Sequence, residues 1–286
     1  SRPVRVAVRV NLDAGLPQRW DRFGFNLENG QAWRAVQQVA AAKELVLVGL
    51  HCHLGTFILE PAAYGTAATR LAALAQRAAR ELGQTIDYLD LGGGFPSLNT
   101  LKGSYLPGPD LVPDFDDYAA AVAEALQGAG FAPEALPLLV LEAGRALVDE
   151  AGTLLGTVLA TKRLADGRRA AVLDFGVNLL FTAYWYDHGV SPAQPLAGAP
   201  EPTVLYGPLC MNIDVVRDSI ALPPLTAGDQ LVVHRVGAYN LSQWQQFITL
   251  RPNVVLLDMQ GNPHVIREAE TLAYLQQGER VPAHLE

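Results

Sequence analysis

A chain of 286 residues, half of them hydrophobic, with a mean hydropathy of +0.14, holds enough apolar material for one large or two ordinary domains and excludes wholesale disorder. Its 21 basic and 29 acidic residues give a net charge of −8, so no basic surface is on hand to neutralise a phosphate backbone, and nucleic acid is not an expected partner. Cys52 and Cys210 are the only cysteines; they make neither a disulfide framework nor a metal knuckle, which fits a reducing cytoplasm. No apolar run reaches the roughly 18 residues of a membrane span, and Ser1-Arg2-Pro3 opens no signal peptide, so no membrane association is expected.

In chain order, the first half alternates strand-like runs with Ala/Leu-rich helical stretches, the βαβα pattern of a parallel sheet or barrel. Val4–Val10, Leu45–Leu50, Ile86–Leu91 and Leu136–Leu141 are the apolar runs. Between them, Leu71, Leu74, Ala75, Ala78 and Leu82 recur at helical spacing before Gly83, and Tyr118, Val122, Ala125 and Leu126 do the same over Asp116–Gly128. After about Arg145 the chain turns to β-branched runs broken by Gly, Pro and Asp. Thr153–Ala160, Ala170–Asp174, Gln230–Val236 and Val254–Asp258 read as strands of an antiparallel β domain, Ser191–Pro202 as a surface loop, and Glu268–Gln277 as the next helical stretch. We therefore expect a first domain over 1–147 and a second over 148–286.

Each strand of the first half ends in polar or glycine-rich chemistry: His51-Cys52-His53-Leu54-Gly55-Thr56, then Asp90-Leu91-Gly92-Gly93-Gly94-Phe95-Pro96, then Glu142-Ala143-Gly144-Arg145. In a parallel α/β barrel the strand C-termini converge on the active-site face, so three such ends point to one site. Gly92, Gly93 and Gly94 can expose successive backbone N–H groups to an anion; alone they could equally be a tight turn. Of His51 and His53, one is expected to enter the pocket and the other to be structural. No metal site is expected.

Taken together and in order, GLHCHLGT, LDLGGGFP, LEAGR, YGPLCMNID and VGAY, from Gly49 to Tyr239, make the chain resemble the fold-type III pyridoxal-phosphate decarboxylases, the ornithine, arginine and diaminopimelate group. The resemblance implies α/β plus β: the C-terminal half of an alanine-racemase-like (βα)8 barrel, followed by a β domain that helps form a homodimer with its site at the interface. It implies pyridoxal 5'-phosphate as cofactor and an amino acid as substrate. By the same likeness, His53 matches the imidazole that stacks on the cofactor ring, and Thr56 stands where the family usually has a serine near the phosphate. Gly92, Gly93, Gly94 and Gly144 match the phosphate loops, Arg145 and Tyr239 phosphate-contacting positions, and Arg9 another cofactor-side arginine. Glu142 matches the carboxylate paired with the pyridine nitrogen, and Cys210 the residue that returns a proton once carbon dioxide has left.

The family's cofactor-linking lysine sits in an early A-x-K-A-N-like stretch, and Lys43, Lys102 and Lys162 have no such setting. By motif order the chain enters the barrel about halfway round, so a separate or cleaved N-terminal segment is expected to supply the lysine. The substrate signals diverge as well. Phe181-Thr182-Ala183-Tyr184 occupies the region where diaminopimelate enzymes carry an arginine for the distal carboxylate. Tyr186-Asp187-His188 resembles the ornithine-type run whose aspartate reads a distal amine, yet Met211 replaces the acidic residue expected after Cys210, and Phe247-Ile248 stands for an aromatic-Asn pair. The expectation is decarboxylation of a modified or diamino acid in a specialised biosynthetic pathway, read by Asp187 and Met211, and not diaminopimelate. Its rivals are a lysine-free homologue acting as a binding or regulatory partner, and an amino-acid racemase on the same barrel.

Overall fold

The computed structural model describes residues 2–285, and its backbone divides into two units, Ser1–Ala151 and Gly152–Glu286. The first is built from β1 (Val4–Asn11), β2 (Phe25–Asn26), α1 (Gln31–Ala41), β3 (Leu45–Cys52), α2 (Pro61–Leu82), β4 (Tyr88–Asp90), α3 (Gly108–Leu111), α4 (Phe115–Gly128), β5 (Leu138–Val140) and α5 (Gly144–Val148). Its five strands lie in the order β2-β1-β3-β4-β5, all parallel. Arg9 pairs with His51, His51 with Asp90 and Asp90 with Val140. That level register brings the C-terminal ends of the strands to one line, and it sets Arg9, His51 and Asp90 on one face.

Two helices explain how the sheet is covered. Helix α2 begins with proline in its first turn and stops at Gly83, whose φ of 63° is the left-handed conformation that glycine adopts without a Cβ clash. It starts ten residues before the Leu71 stripe, because Ala63, Tyr64, Ala67 and Ala68 extend the same buried face with mostly small side chains. Helix α4 is opened by a capping box between Asp114 and Asp117 and packs on α2 where a Cβ at Gly65 would stand 2.9 Å from the Ala121 carbonyl. Val8, Val10, Leu47, Leu50, Leu71, Leu74, Leu89 and Leu91 form the core between sheet and helices. At the far edge the apolar residues Leu136, Leu138, Leu139, Leu141 and Leu147 are exposed, and β5 pairs with β4 alone among the described strands.

The second unit comprises β6 (Thr153–Arg163), β7 (Arg169–Leu173), β8 (Val190–Pro192), β9 (Glu201–Tyr206), β10 (Val215–Leu222), β11 (Gln230–His234), β12 (Val254–Leu257), β13 (Pro263–Arg267) and α6 (Leu272–Gln276). Six strands form one sheet in the order β10-β9-β7-β6-β11-β8, and β12-β13 form a separate hairpin. The expectation of a wholly antiparallel domain needs one correction: β7 and β9 run parallel, because the chain makes the β8 excursion between them and returns in the same direction. Within the segment read as a loop, β8 and the start of β9 form its two ends. Leu173, Phe175, Leu180, Leu205, Val216, Leu231 and Val233 fill the core.

Candidate active site

The C-terminal end of the parallel sheet gathers nine of the residues singled out in the sequence: Arg9, His53, Thr56, Gly92, Gly93, Gly94, Glu142, Gly144 and Arg145, each at or just beyond the end of β1, β3, β4 or β5. The glycine loop is pressed against its neighbours. A Cβ on Gly92 would stand 2.5 Å from the Cys52 carbonyl, one on Gly93 2.6 Å from the Glu142 carbonyl, and one on Gly94 2.5 Å from the Gly55 carbonyl. All three positions therefore demand glycine for close approach, and Gly92 and Gly94 also have positive φ. Gly144, by contrast, has open space around it.

The three glycine amides do not all face outward as the sequence suggests. Gly92 N–H donates to Asp90 Oδ1 at 2.8 Å, and Gly93 N–H to His53 Nδ1 at 3.1 Å. Gly94 N–H makes no hydrogen bond among the described residues, so of the three amides it is the one left to donate. Because His53 Nδ1 accepts, its ring proton is assigned to Nε2. Burial, with the Arg9 charge adding to it, holds the His53 pKa below the usual imidazole range, against the opposing pull of Glu142. A neutral, oriented ring 5.2 Å from the Trp20 indole results.

Glu142 is half exposed, with Oε2 3.9 Å from His53 Nδ1. His51 is also here: its Nε2 is buried without a hydrogen-bond partner, and its ligand atom, with those of Asp90 and Glu142, lies in a group all within 4.8 Å of one another. Burial likewise lowers the His51 pKa, opposed by Asp90. The expectation that only one of the two imidazoles enters the pocket is thus corrected: His51 near the end of β3 and His53 just beyond it both lie beside Glu142. Arg145 Nη2 donates to Thr56 Oγ1 at 2.6 Å, which brings the helix after β5 to the loop after β3. Arg9 lies over the Phe23 ring, 4.9 Å from its centroid.

Some residues that shape this end carry no signal of their own in the sequence. Tyr64, on α2, donates from Oη to the Gly93 carbonyl at 2.9 Å and stacks on Phe95 at 4.5 Å. Tyr118 closes the trio edge-on to both rings and donates to the Ile58 carbonyl at 2.7 Å. Asp149 is buried and accepts from Ser97 Oγ at 2.5 Å and Asn99 Nδ2 at 2.8 Å, tying the segment after the glycines to the residues that follow α5.

The remaining four site residues belong to the second unit. Cys210 is exposed and sits with Met211 in the loop between β9 and β10. Tyr239 has a left-handed φ of 67° in the turn after β11, and its carbonyl accepts from Ser242 and Gln243 N–H. Asp187 follows a one-turn helix over Phe181–Tyr184 and has Arg217 Nη1 3.8 Å from its Oδ1, so part of its charge is already answered. No helix among the described residues is long and apolar enough to cross a membrane.

Comparison with known proteins gives this arrangement its family. Residues 2–149 match the pyridoxal-binding domain of pyridoxal-dependent decarboxylases, and residues 111–237 match the C-terminal sheet domain of the same enzymes. The chain belongs to the pyridoxal-dependent decarboxylase family, whose cofactor is pyridoxal phosphate. Among its relatives, the diaminopimelate decarboxylase of Bacillus subtilis is 31% identical over 258 residues, covering 89% of this chain and 57% of the relative; that of Archaeoglobus fulgidus is 28% identical over 99% of this chain. The crystal structure of diaminopimelate decarboxylase from M. jannaschii superposes with a TM-score of 0.86 at 27% identity, covering all of this chain and 65% of that one. A lysine/ornithine decarboxylase from Vibrio vulnificus complexed with cadaverine follows at 0.65 and 26%. The chain thus spans between about half and two thirds of the length of these proteins.

The donor set fits such a cofactor. A loop that a Cβ would fill, an arginine–threonine pair beside it, a neutral imidazole and a carboxylate within reach of that ring are groups suited to an anionic tail, an aromatic face and a ring nitrogen.

Proposed function

We propose that this chain carries most of the site of a pyridoxal-phosphate-dependent amino-acid α-decarboxylase, a carboxy-lyase acting as a cytoplasmic homodimer. The observation that carries the reading is the convergence of His53, Glu142, the Arg145–Thr56 pair and the Gly94 amide at one end of the parallel sheet. When bound, the cofactor supplies a protonated ring that takes up the electron pair left at Cα as the carboxylate departs. In this reading Glu142 keeps the proton on the ring nitrogen, and His53 covers a ring face. Arg145, Thr56, Gly94 and Gly144 hold the phosphate, with Gly92 and Gly93 shaping the loop. Arg9 adds positive potential, Tyr239 a phenol donor, and Cys210 the proton delivered to Cα.

The lysine that attaches the cofactor comes, in this reading, from polypeptide outside these residues. Lys43 precedes β3, at the end of the sheet away from Glu142; Lys102 lies in the loop after β4, and Lys162 near the end of β6. The substrate we infer is a modified or diamino acid of a specialised pathway, distinct from the diaminopimelate of the relatives' names. The support is Phe181-Thr182-Ala183-Tyr184 in the region where diaminopimelate enzymes carry an arginine, Met211 in place of a carboxylate, and an Asp187 that faces Arg217.

Borohydride reduction of the intact protein, followed by peptide mass spectrometry, tests the assembly, and carbon dioxide release from diaminopimelate, lysine, ornithine and side-chain-modified amino acids tests the chemistry. We expect a reduced pyridoxyl lysine on a segment outside this chain, and release from an amino acid other than diaminopimelate. The lysine positions favour one rival, a non-catalytic homologue that binds a partner; no adduct on any polypeptide present, together with no release, would overturn the enzyme reading for this chain. Chiral analysis of recovered substrate separates decarboxylation from racemisation.

A further inference from the structure

Asp214 is a carboxylate with only 3% of its surface exposed, and the chemistry above makes no use of it. Its Oδ1 accepts Val177 N–H at 2.8 Å and its Oδ2 accepts Leu209 N–H at 2.8 Å. The main chain of the same residue closes the loop: Gly207 N–H donates to the Asp214 carbonyl at 3.0 Å, and Asp214 N–H donates to the Met211 carbonyl at 3.0 Å. Residues 207–214, with Cys210 and Met211 between them, are therefore tied to one residue, Asp214, which also ties them to Val177, 37 positions before it in sequence.

Two glycines are explained by the same group. A Cβ on Gly176 or on Gly207 would run into the Asp214 carboxylate, so each glycine leaves the space that the side chain fills. A turn needing only a local cap could use a solvated aspartate. Burying a charged carboxylate is unfavourable unless fixed donors compensate it, and here the donors are backbone amides on either side of the loop that presents the thiol.

We propose that Asp214 is the positioning residue for Cys210, clamping the 207–214 loop against residues 176–177 so that the exposed thiol is presented in one orientation for proton delivery. The inference rests on the reading of Cys210 as the proton donor. Asp214→Asn tests it with little change of volume: however its amide is turned, an NH2 group faces either the Val177 or the Leu209 amide, and one clamp is lost. Gly207→Ala disturbs the same carboxylate from the other side.

The experiment uses the intact, cofactor-loaded protein. It reads amide exchange at Leu209 and Val177, alkylation of Cys210 by iodoacetamide, and kcat and KM separately. Cys52 stays silent in the alkylation, since it is buried and its thiol is pushed up to about 12. In the unaltered protein, Leu209 and Val177 amides are expected to exchange more slowly than those of Cys210 and Met211. Asp214→Asn should speed that exchange, change the alkylation rate and lower kcat on the order of 10²-fold, as a misplaced reacting group does, with cofactor affinity kept. Gly207→Ala should act in the same direction, and the double variant should be no worse than the stronger single one.

Unprotected Leu209 and Val177 amides in the unaltered protein would overturn the clamp without any variant being needed. So would an Asp214→Asn protein with unchanged alkylation and kcat. If instead Cys210→Ala keeps full turnover and the same product, the reading of Cys210 falls, and with it the catalytic half of this inference, while exchange and alkylation in Asp214→Asn still decide the clamp.

Discussion

The two units hold their reactive groups by different physical means. In the first, groups sit at the ends of parallel strands whose register, Arg9 to His51 to Asp90, is set by the backbone ladder, so the sheet itself aims the side chains. In the second, they sit on loops, and the loops are held by buried polar groups. Thr182 Oγ1 lies 2.8 Å from His188 Nε2 and donates to Asn240 Oδ1 at 3.0 Å, and Asn240 Nδ2 donates to the Val236 carbonyl at 3.1 Å, next to the turn that bears Tyr239. A strand end can lose its functional side chain and keep its shape; a loop that loses its buried polar anchor moves.

The largest effect expected from this contrast is at Glu142. It is half exposed and its nearest ionic partner is His53 at 3.9 Å, so Glu142→Ala should lower kcat by about 10²- to 10⁴-fold with little change in the urea midpoint. A large loss of stability alongside would break the idea that the strand, and not the side chain, carries the structure. Next comes Leu205→Ala in the fully buried core of the second unit, expected to cost about 2–5 kcal/mol and to lower amide protection across β7, β9 and β10. Tyr64→Phe is smaller still. It removes the donor to the Gly93 carbonyl and leaves that buried acceptor unpaired, at about 1–3 kcal/mol, with weaker cofactor binding measured by fluorescence titration. Unchanged affinity would show that the glycine loop keeps its shape without the tyrosine.

The same contrast explains what could be read from the sequence. The strand ends were legible because apolar runs locate the strands and polar or glycine-rich residues follow each of them; that placed Glu142 and Arg145 together, and the family resemblance supplied the roles expected of them. The first turns of α2 were not, because Ala63, Ala67 and Ala68 bury a face with side chains too small to stand out in a hydrophobic pattern. The direction of the Gly92 and Gly93 amides was hidden too, since it depends on Asp90 and on a His53 imidazole forty positions away from Gly93. Tyr64 and Asp149 act through partners distant in sequence, so no local signal marks them; Asp214 ends the YGPLCMNID run, but its bond to Val177 is a tertiary contact that the run does not show. Strand β9 and its parallel pairing with β7 went unseen because pairing across a long excursion is a tertiary choice.

The smallest expected effect turns on pH. Burial lowers the pKa of both His51 and His53, with Arg9 acting in the same direction and carboxylates opposing. The unfolded chain therefore takes up protons near the ordinary imidazole value of 6.5, where the folded first unit still resists them. Stability from these two rings is fully present above that value and is lost as pH falls towards their lower folded pKa values. The urea midpoint of the intact protein should drop between pH 7.5 and 5.5, and a His51→Gln, His53→Gln double variant should flatten the drop. The second unit offers the control: His188, buried and hydrogen-bonded to Thr182, stays in place, so any slope that survives the double substitution belongs to groups other than the two substituted imidazoles. A slope that is unchanged by the double substitution would mean that these rings are as easily protonated in the folded protein as in the unfolded chain, and that the neutral His53 assigned to the cofactor face is not set by its burial.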